Sequence, residues 1–141
     1  MRIASVSILG VLLLACASSP GVAETPALPC HGALQPRQVA ELLFGRDIGR
    51  HLGVSESAWA LFVAREVTPR FPDGLTITNA IGQWRDSGTG KIVHEPSKRV
   101  EIVLPGKDDD EAQLDAIAAA YKRQFHQQSV AIIVRPACVS F

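Results

Sequence analysis

Apolar and polar positions change period several times along the chain, and each change marks an element. "QVAELLFG" (38–45) is a short apolar run ended by Gly45, which predicts a first strand. From Ser55 the period becomes helical: Trp59, Phe62 and Val63 share one face, Ser55 is placed as N-cap and Glu56 suits the first turn. Thr68-Pro69 closes that helix, because the residue before proline avoids helical ψ. "FPDGL" then turns the chain into a second strand, 75–84, and a third runs over about 91–104, bulged at Pro96. In that third strand Val100, Ile102 and Leu104 alternate with Arg99 and Glu101. "DDDEAQLDAIAAAYKRQF" has acids in its first turn, Lys122 and Arg123 near its last, and an apolar stripe of Leu114, Ile117, Ala118, Tyr121 and Phe125, which predicts a second helix. "SVAIIVR" is the fourth strand.

The order βαββαβ predicts an α+β fold of the ferredoxin-like sandwich type: a four-stranded antiparallel sheet, strand order 4-1-3-2, with both helices on one face. Residues 38–141 form this single domain, behind a Pro-, Ser-, Ala- and Gly-rich tether over 24–37.

Ahead of the tether, "MRIASVSILGVLLLACASSPGVA" has one Arg, an apolar run and then small residues, the layout of an export signal. The run falls short of the ~20 residues that a permanent membrane span needs. Two processing sites compete. Gly21-Val22-Ala23 suits ordinary cleavage (signal 1–23), whereas Leu13-Leu14-Ala15-Cys16 suits a lipoprotein signal (1–15) with a lipid anchor on Cys16. Either way the protein is expected to be exported, as a periplasmic or membrane-anchored member of the cell envelope. Cys30 and Cys138 are then left as an even pair in an oxidising compartment. In the sandwich, strands 1 and 4 are antiparallel neighbours, so Cys30 and Cys138 meet at one end of the sheet as a disulfide. Closing a loop of about 100 residues stabilises by roughly 4.7 kcal/mol in the chain-entropy picture.

Charge excludes one class of partner. Removing Arg2 with the signal from the 14 basic residues leaves 13 against 14 acidic ones, and a net charge near −1 gives no general attraction to nucleic acid.

Familiar motifs are approached and missed. "RDSGTGK" has the Gly90-Lys91 of a phosphate loop, but Arg85 and Ile92 stand where its first Gly and its hydroxyl belong. The stretch is predicted as a hairpin turn with positive φ at Gly88 and Gly90. His94-Glu95 begins like H-E-x-x-H, but Lys98 takes the second histidine's place, and no metal or cofactor is expected. No G-x-S-x-G is present, and no catalytic residue is assigned. Glu41, Glu66, Glu95 and Glu101 are carboxylates that the fold could bring together.

Topology supplies the remaining candidate. Arg46 after strand 1, Gln83, Trp84 and Arg85 at the end of strand 2, and His94 in strand 3 gather at one end of the sheet, with Gln127 and Gln128 nearby. They suggest a pocket for a small anionic ligand, with Arg46 and Arg85 as charge partners and Trp84 as a wall. The sheet face away from the helices, with Thr76, Thr78 and Val103 outward, suggests a homodimer whose cavity could hold a ligand. The leading expectation is a non-enzymatic binding or scaffolding domain, and the alternative is a small enzyme or anionic-ligand binder using that end or the dimer cavity.

"ELLFGR", "AWALFVAREVTPRFPDGLT", "GQWRD", "EPSKRVEIVLP", "AAYKRQFHQQSV" and "PACVSF" together resemble a family of small exported bacterial proteins known only as a domain of unknown function. The resemblance spans about 39–141. It implies the same domain boundaries and export, and brings no activity, cofactor or catalytic residue.

Overall fold

A computed structural model describes residues 29–49 and 51–141. The expected signal, Cys16 and the first part of the tether lie outside the described residues. The chain order is β1 (Gln35–Gly45), β2 (Asp47–Ile48), β3 (His51–Leu52), α1 (Glu56–Phe62), β4 (Thr76–Arg85), β5 (Ile92–Val103), α2 (Asp110–Phe125) and β6 (Ala131–Val139). The four long strands form an antiparallel sheet in the order β4-β5-β1-β6, which is the ferredoxin-like sandwich. β2 and β3 form a separate two-stranded ribbon that the sequence pattern did not announce.

Alternation decides which side of each strand is dry. Ala40, Leu42 and Phe44 of β1 and Val100 and Ile102 of β5 are buried beneath the helices. Phe44 is the centre of an aromatic cluster from both helices, 4.7 Å from Tyr121, 5.1 Å from Trp59 and 6.0 Å from Phe62 by ring centroids, all edge-on. Ser55 caps α1 by accepting the Ala58 N–H, and the helix widens into a π-turn over Val63–Val67 before Pro69. At the start of α2 the acidic run is ordered by one member: the buried Asp110 carboxylate accepts the N–H groups of Gly106 and Lys107.

Pro96 does not bulge β5, whose pairing with β4 continues through Ile81↔Pro96. Its carbonyl accepts from Arg46 N–H, so its nitrogen also faces the β1 side, just beyond Ser97, the last β5 residue paired with β1. The missing N–H therefore leaves no strand unpaired. In the β4–β5 hairpin only Gly90 has positive φ; Gly88 does not, because Asp86 shapes the turn by accepting from Thr89 N–H and Oγ–H. Cys30 and Cys138 are bonded, 108 residues apart in sequence, at the end of the sheet where Cys138 of β6 pairs with Pro36 of β1.

Candidate functional site

On the open face, at the end where β1 and β4 finish, the sheet is stripped of side chains at two places. Gly82 pairs with Glu95 and Gly45 pairs with Ser97, so Glu95 lies between two glycines. A Cβ on Gly45 would stand 2.6 Å from Glu95 Cδ and Oε2, and one on Gly82 would stand 2.6 Å from Ser97 Oγ. A side chain at either position would displace Glu95 or Ser97 from where it stands. The Glu95 side chain folds across Gly45, where Asp47 N–H donates to Oε2 at 3.0 Å, and the residue is only 8% exposed.

From the helix side, Tyr121 Oη–H donates to Gly45 O at 2.7 Å. Gly45 is thus held between an aromatic hydroxyl below the sheet and a carboxylate above it. Burial pushes the Tyr121 hydroxyl well above the usual tyrosine range; Arg46 pulls it back and Glu95 adds to the rise.

Above Glu95 is a hollow of about 250 Å³, walled by Trp84, Leu43, Ala131, Gln127 and Gln128. The wall from the α2–β6 loop is tied down: Gln127 Nε2 donates to Asp47 O at 2.7 Å, and Gln128 bonds Asp86 and Ser87 of the hairpin at 3.3 Å. Trp84 Nε1–H is buried without a partner among the described residues. Among the described residues no Lys or Arg lines the hollow. Its chemistry is one carboxylate, an indole, amides, the hydroxyls of Ser97 and Ser129, and apolar wall. A larger cavity of about 830 Å³ beside the start of α2 and β6 has one buried acid, Asp110, whose Oδ2 already accepts two backbone N–H groups, those of Gly106 and Lys107.

The five residues expected to form a site share an end of the sheet but not a face. Register puts Gln83 opposite His94 and Trp84 opposite Val93, and alternation sends Gln83, Arg85 and His94 to the helix side while Trp84 faces the hollow. Trp84 walls the hollow, and Gln83 borders it only by its place in the strand between Gly82 and Trp84, its side chain being on the other face, whereas Arg46, Arg85 and His94 do not line it. Arg46 is buried and its guanidinium is engaged: Nε and Nη2 donate to Val54 O at 2.9 and 2.6 Å, and Nη1 meets Glu56 Oε1 at 2.6 Å. Glu56 also receives the buried Lys98, Nζ to Oε2 at 2.8 Å, and Lys98 bonds Asn79 as well. The Lys98 hydrogen bond, helped by Arg46, holds the Glu56 carboxyl below its usual value. Arg85 is exposed and donates to Gly90 O at 3.0 Å within the hairpin.

Glu95 is the functional candidate that the sequence underrated. It stood there as one carboxylate of four and as half of a failed metal motif. The signal that finds it is the register, which brings two glycines to its sides. Glu41 and Glu101 are elsewhere on the open face, both on Arg99 at 2.7 and 3.3 Å, with Arg135 on Glu101 at 3.2 Å.

A family model matches residues 39–141. The chain belongs to the family described as protein of unknown function (DUF3574). No curated protein matches the sequence. Among solved structures, the phage SAM lyase in complex with S-methyl-5'-thioadenosine is similar at TM-score 0.60 and 16% identity, over 83% of this chain and 97% of that one. CutA from Synechococcus elongatus is similar at 0.47 and 14%, over 77% and 81%. A putative PII-like signaling protein from Thermus thermophilus is similar at 0.44 and 19%, over 77% and 93%. Likeness at such identity is a likeness of fold.

Proposed function

We propose that this domain is a small-molecule binder of the cell envelope whose ligand is a compact organic cation, held over Glu95 with Trp84 as the wall. One observation carries the reading. Glu95 is nine-tenths buried and, among the described residues, has one oxygen bonded to Asp47 N–H, the other without a hydrogen bond, and faces a hollow that no described Lys or Arg lines. A carboxylate so placed favours a positive partner, at ~1.5–3 kcal/mol for a charge-assisted hydrogen bond, and an indole adds ~0.5–2 kcal/mol of cation–π attraction. A cation is favoured over the anionic ligand expected from Arg46 and Arg85, because neither arginine lines the hollow and Arg46 is engaged by Val54 O and Glu56.

Envelope placement is part of the proposal. It is supported by the signal-like start of the sequence and by the Cys30–Cys138 bond, which suits an oxidising compartment. An enzymatic variant of the same reading is favoured by the phage SAM lyase, whose substrate is a sulfonium. Binding at Glu95 would be common to both.

The experiment is a thermal-shift and calorimetric screen with S-adenosylmethionine, a quaternary ammonium, a polyamine and a set of anions. A cation at about 100 times its Kd is expected to stabilise the fold by ~2.7 kcal/mol, which is ~10 °C or more for a domain of this size. Glu95→Gln is expected to abolish the shift, and product analysis of the S-adenosylmethionine sample separates binding from turnover. An anion as the tightest ligand, or a cation that binds Glu95→Gln unchanged, overturns the reading.

A further inference from the structure

The two edges of the sheet are built differently. β6 carries Arg135, Pro136 and the disulfide-bonded Cys138, devices that discourage pairing with another strand. β4 has only Arg85, at its last position: Thr76 to Trp84 contains no charge and no proline, and all ten residues of the strand pair with β5 without a bulge. Among the described residues nothing pairs with its outer side. Beside that edge, on the helix-side surface of the strand, Ile77 is 38% and Ile81 is 85% exposed. A long, uncharged, apolar edge is a template for another strand.

Backbone direction fixes what such a strand would meet. Asp86 N–H donates to Lys91 O, so Asp86 points its backbone at β5, and alternation turns the even-numbered residues of β4 inward. The free N–H and C=O groups of the outer side therefore belong to Ile77, Asn79, Ile81 and Gln83. If a second copy of β4 approaches antiparallel about a two-fold axis at Asn79, Ile77 of each copy is a hydrogen-bonded partner of Ile81 of the other. Both exposed isoleucines are then covered at once, on one surface. The same register sets Thr76 of the second copy opposite Gly82, on the open face, where Gly82 leaves the rim of the Glu95 hollow bare.

We infer that the protein is a homodimer joined through β4, forming a continuous eight-stranded sheet in which each copy's Thr76 completes the rim of the other's hollow. This departs from the expected homodimer through the open face: the centre of that face is a ladder of Glu41, Arg99, Glu101 and Arg135 already paired within one chain. It does not depend on which ligand the hollow takes.

The test is sedimentation of the mature protein with its disulfide intact. The wild type is expected to be a dimer, and Ile81→Lys, which acts twice across the axis, is expected to weaken it by ~10-fold or more with the fold retained by circular dichroism. Ile133→Lys, on the open face, is expected to leave the dimer intact. Single-cysteine variants Ile77→Cys and Ile81→Cys fix the register independently: mixed under mild oxidation they are expected to cross-link to each other, and neither with itself. A monomer at high concentration, a trimer, a dimer indifferent to Ile81→Lys, or cross-linking of either variant alone overturns the proposal. If Ile81→Lys fails to fold, the wild-type mass and the cross-linking pattern decide it.

Discussion

Gly45→Ala tests whether the Glu95 site is held by space. The backbone at Gly45 lies outside the left-handed region, so alanine is acceptable to the strand, and replacing a strand glycine ordinarily gains ~0.5–1 kcal/mol. Here the new methyl would stand 2.6 Å from Glu95 Cδ and Oε2, where ordinary contact begins at 3.4 Å. The carboxylate must leave, and the Asp47 N–H···Oε2 bond of 3.0 Å goes with it. A charge-assisted hydrogen bond is worth ~1.5–3 kcal/mol, so the net expectation is a loss of about 1–2 kcal/mol. At ~4–8 °C per kcal/mol this is a readily measured fall in Tm. The decisive assay is a double-mutant cycle followed by urea unfolding. With Glu95→Ala already in place there is nothing for the methyl to strike, and Gly45→Ala is expected to be neutral or stabilising. A coupling of ~1.5–3 kcal/mol is the signature, and equal costs for Gly45→Ala with and without Glu95 would refute the reasoning.

Two titrations follow from the helix side. Glu56 has its folded-state carboxyl held below its ordinary value of 4.5, so its contribution is present above that value and lost as pH falls below it; Glu56→Gln is expected to flatten the acid side of a urea-midpoint profile and to lower stability at neutral pH, where Lys98 is left without its counter-charge. Tyr121 is the chain's one tyrosine and its folded-state hydroxyl is raised above 10.0, so the near-ultraviolet absorbance of tyrosinate is expected to stay flat through the pH at which free tyrosine ionises. Stability should be level below that pH and fall above it, and an ordinary tyrosine titration in the folded protein would contradict the burial of the hydroxyl between the helices and the sheet.

The fold was legible because its signals are periodic. β1 declares itself by an apolar run ended by Gly45, β5 and α2 by alternation or by a stripe that their own residues complete, and Ser55 and Pro69 mark the ends of the α1 segment by local chemistry. The disulfide followed from the even pair of cysteines left after Cys16, and strand adjacency agreed with it. Elements too short to show a period were invisible: β2 and β3 are two residues each, and their ribbon is specified by pairing alone. The hairpin turn was misjudged at Gly88 because the Asp86 side chain, not a second left-handed glycine, closes it.

The site was harder for a different reason. Proximity to one end of a sheet is a topological statement, and the sequence supports it; membership of one face needs the register of three strands. Gly45, Gly82 and Glu95 come from β1, β4 and β5, and nothing in any one of them says that the other two stand beside it. Likewise Arg46 finds Glu56 only because the β2–β3 ribbon folds the intervening chain back on itself.

Arg46 nevertheless bears on the hollow, from the opposite side of the sheet. It clamps Val54 O and Glu56, and its own carbonyl accepts the N–H groups of Gly53 and Val54 at 3.0 Å, so the ribbon between 46 and 54 is closed at its base. The first peptide of that ribbon supplies Asp47 N–H to Glu95, and Asp47 O receives Gln127 from the α2–β6 loop. Arg46 is thus a positioning residue: below the sheet it shares the Glu56 carboxylate with Lys98, while the geometry it enforces presents a donor to the carboxylate above. Loss of ligand binding in Arg46→Ala would therefore be no sign of an anionic ligand. The distinction is visible in Arg46→Lys, which keeps the charge but not the two-nitrogen grip on Val54 O; an anion site would tolerate it better than a positioning clamp would.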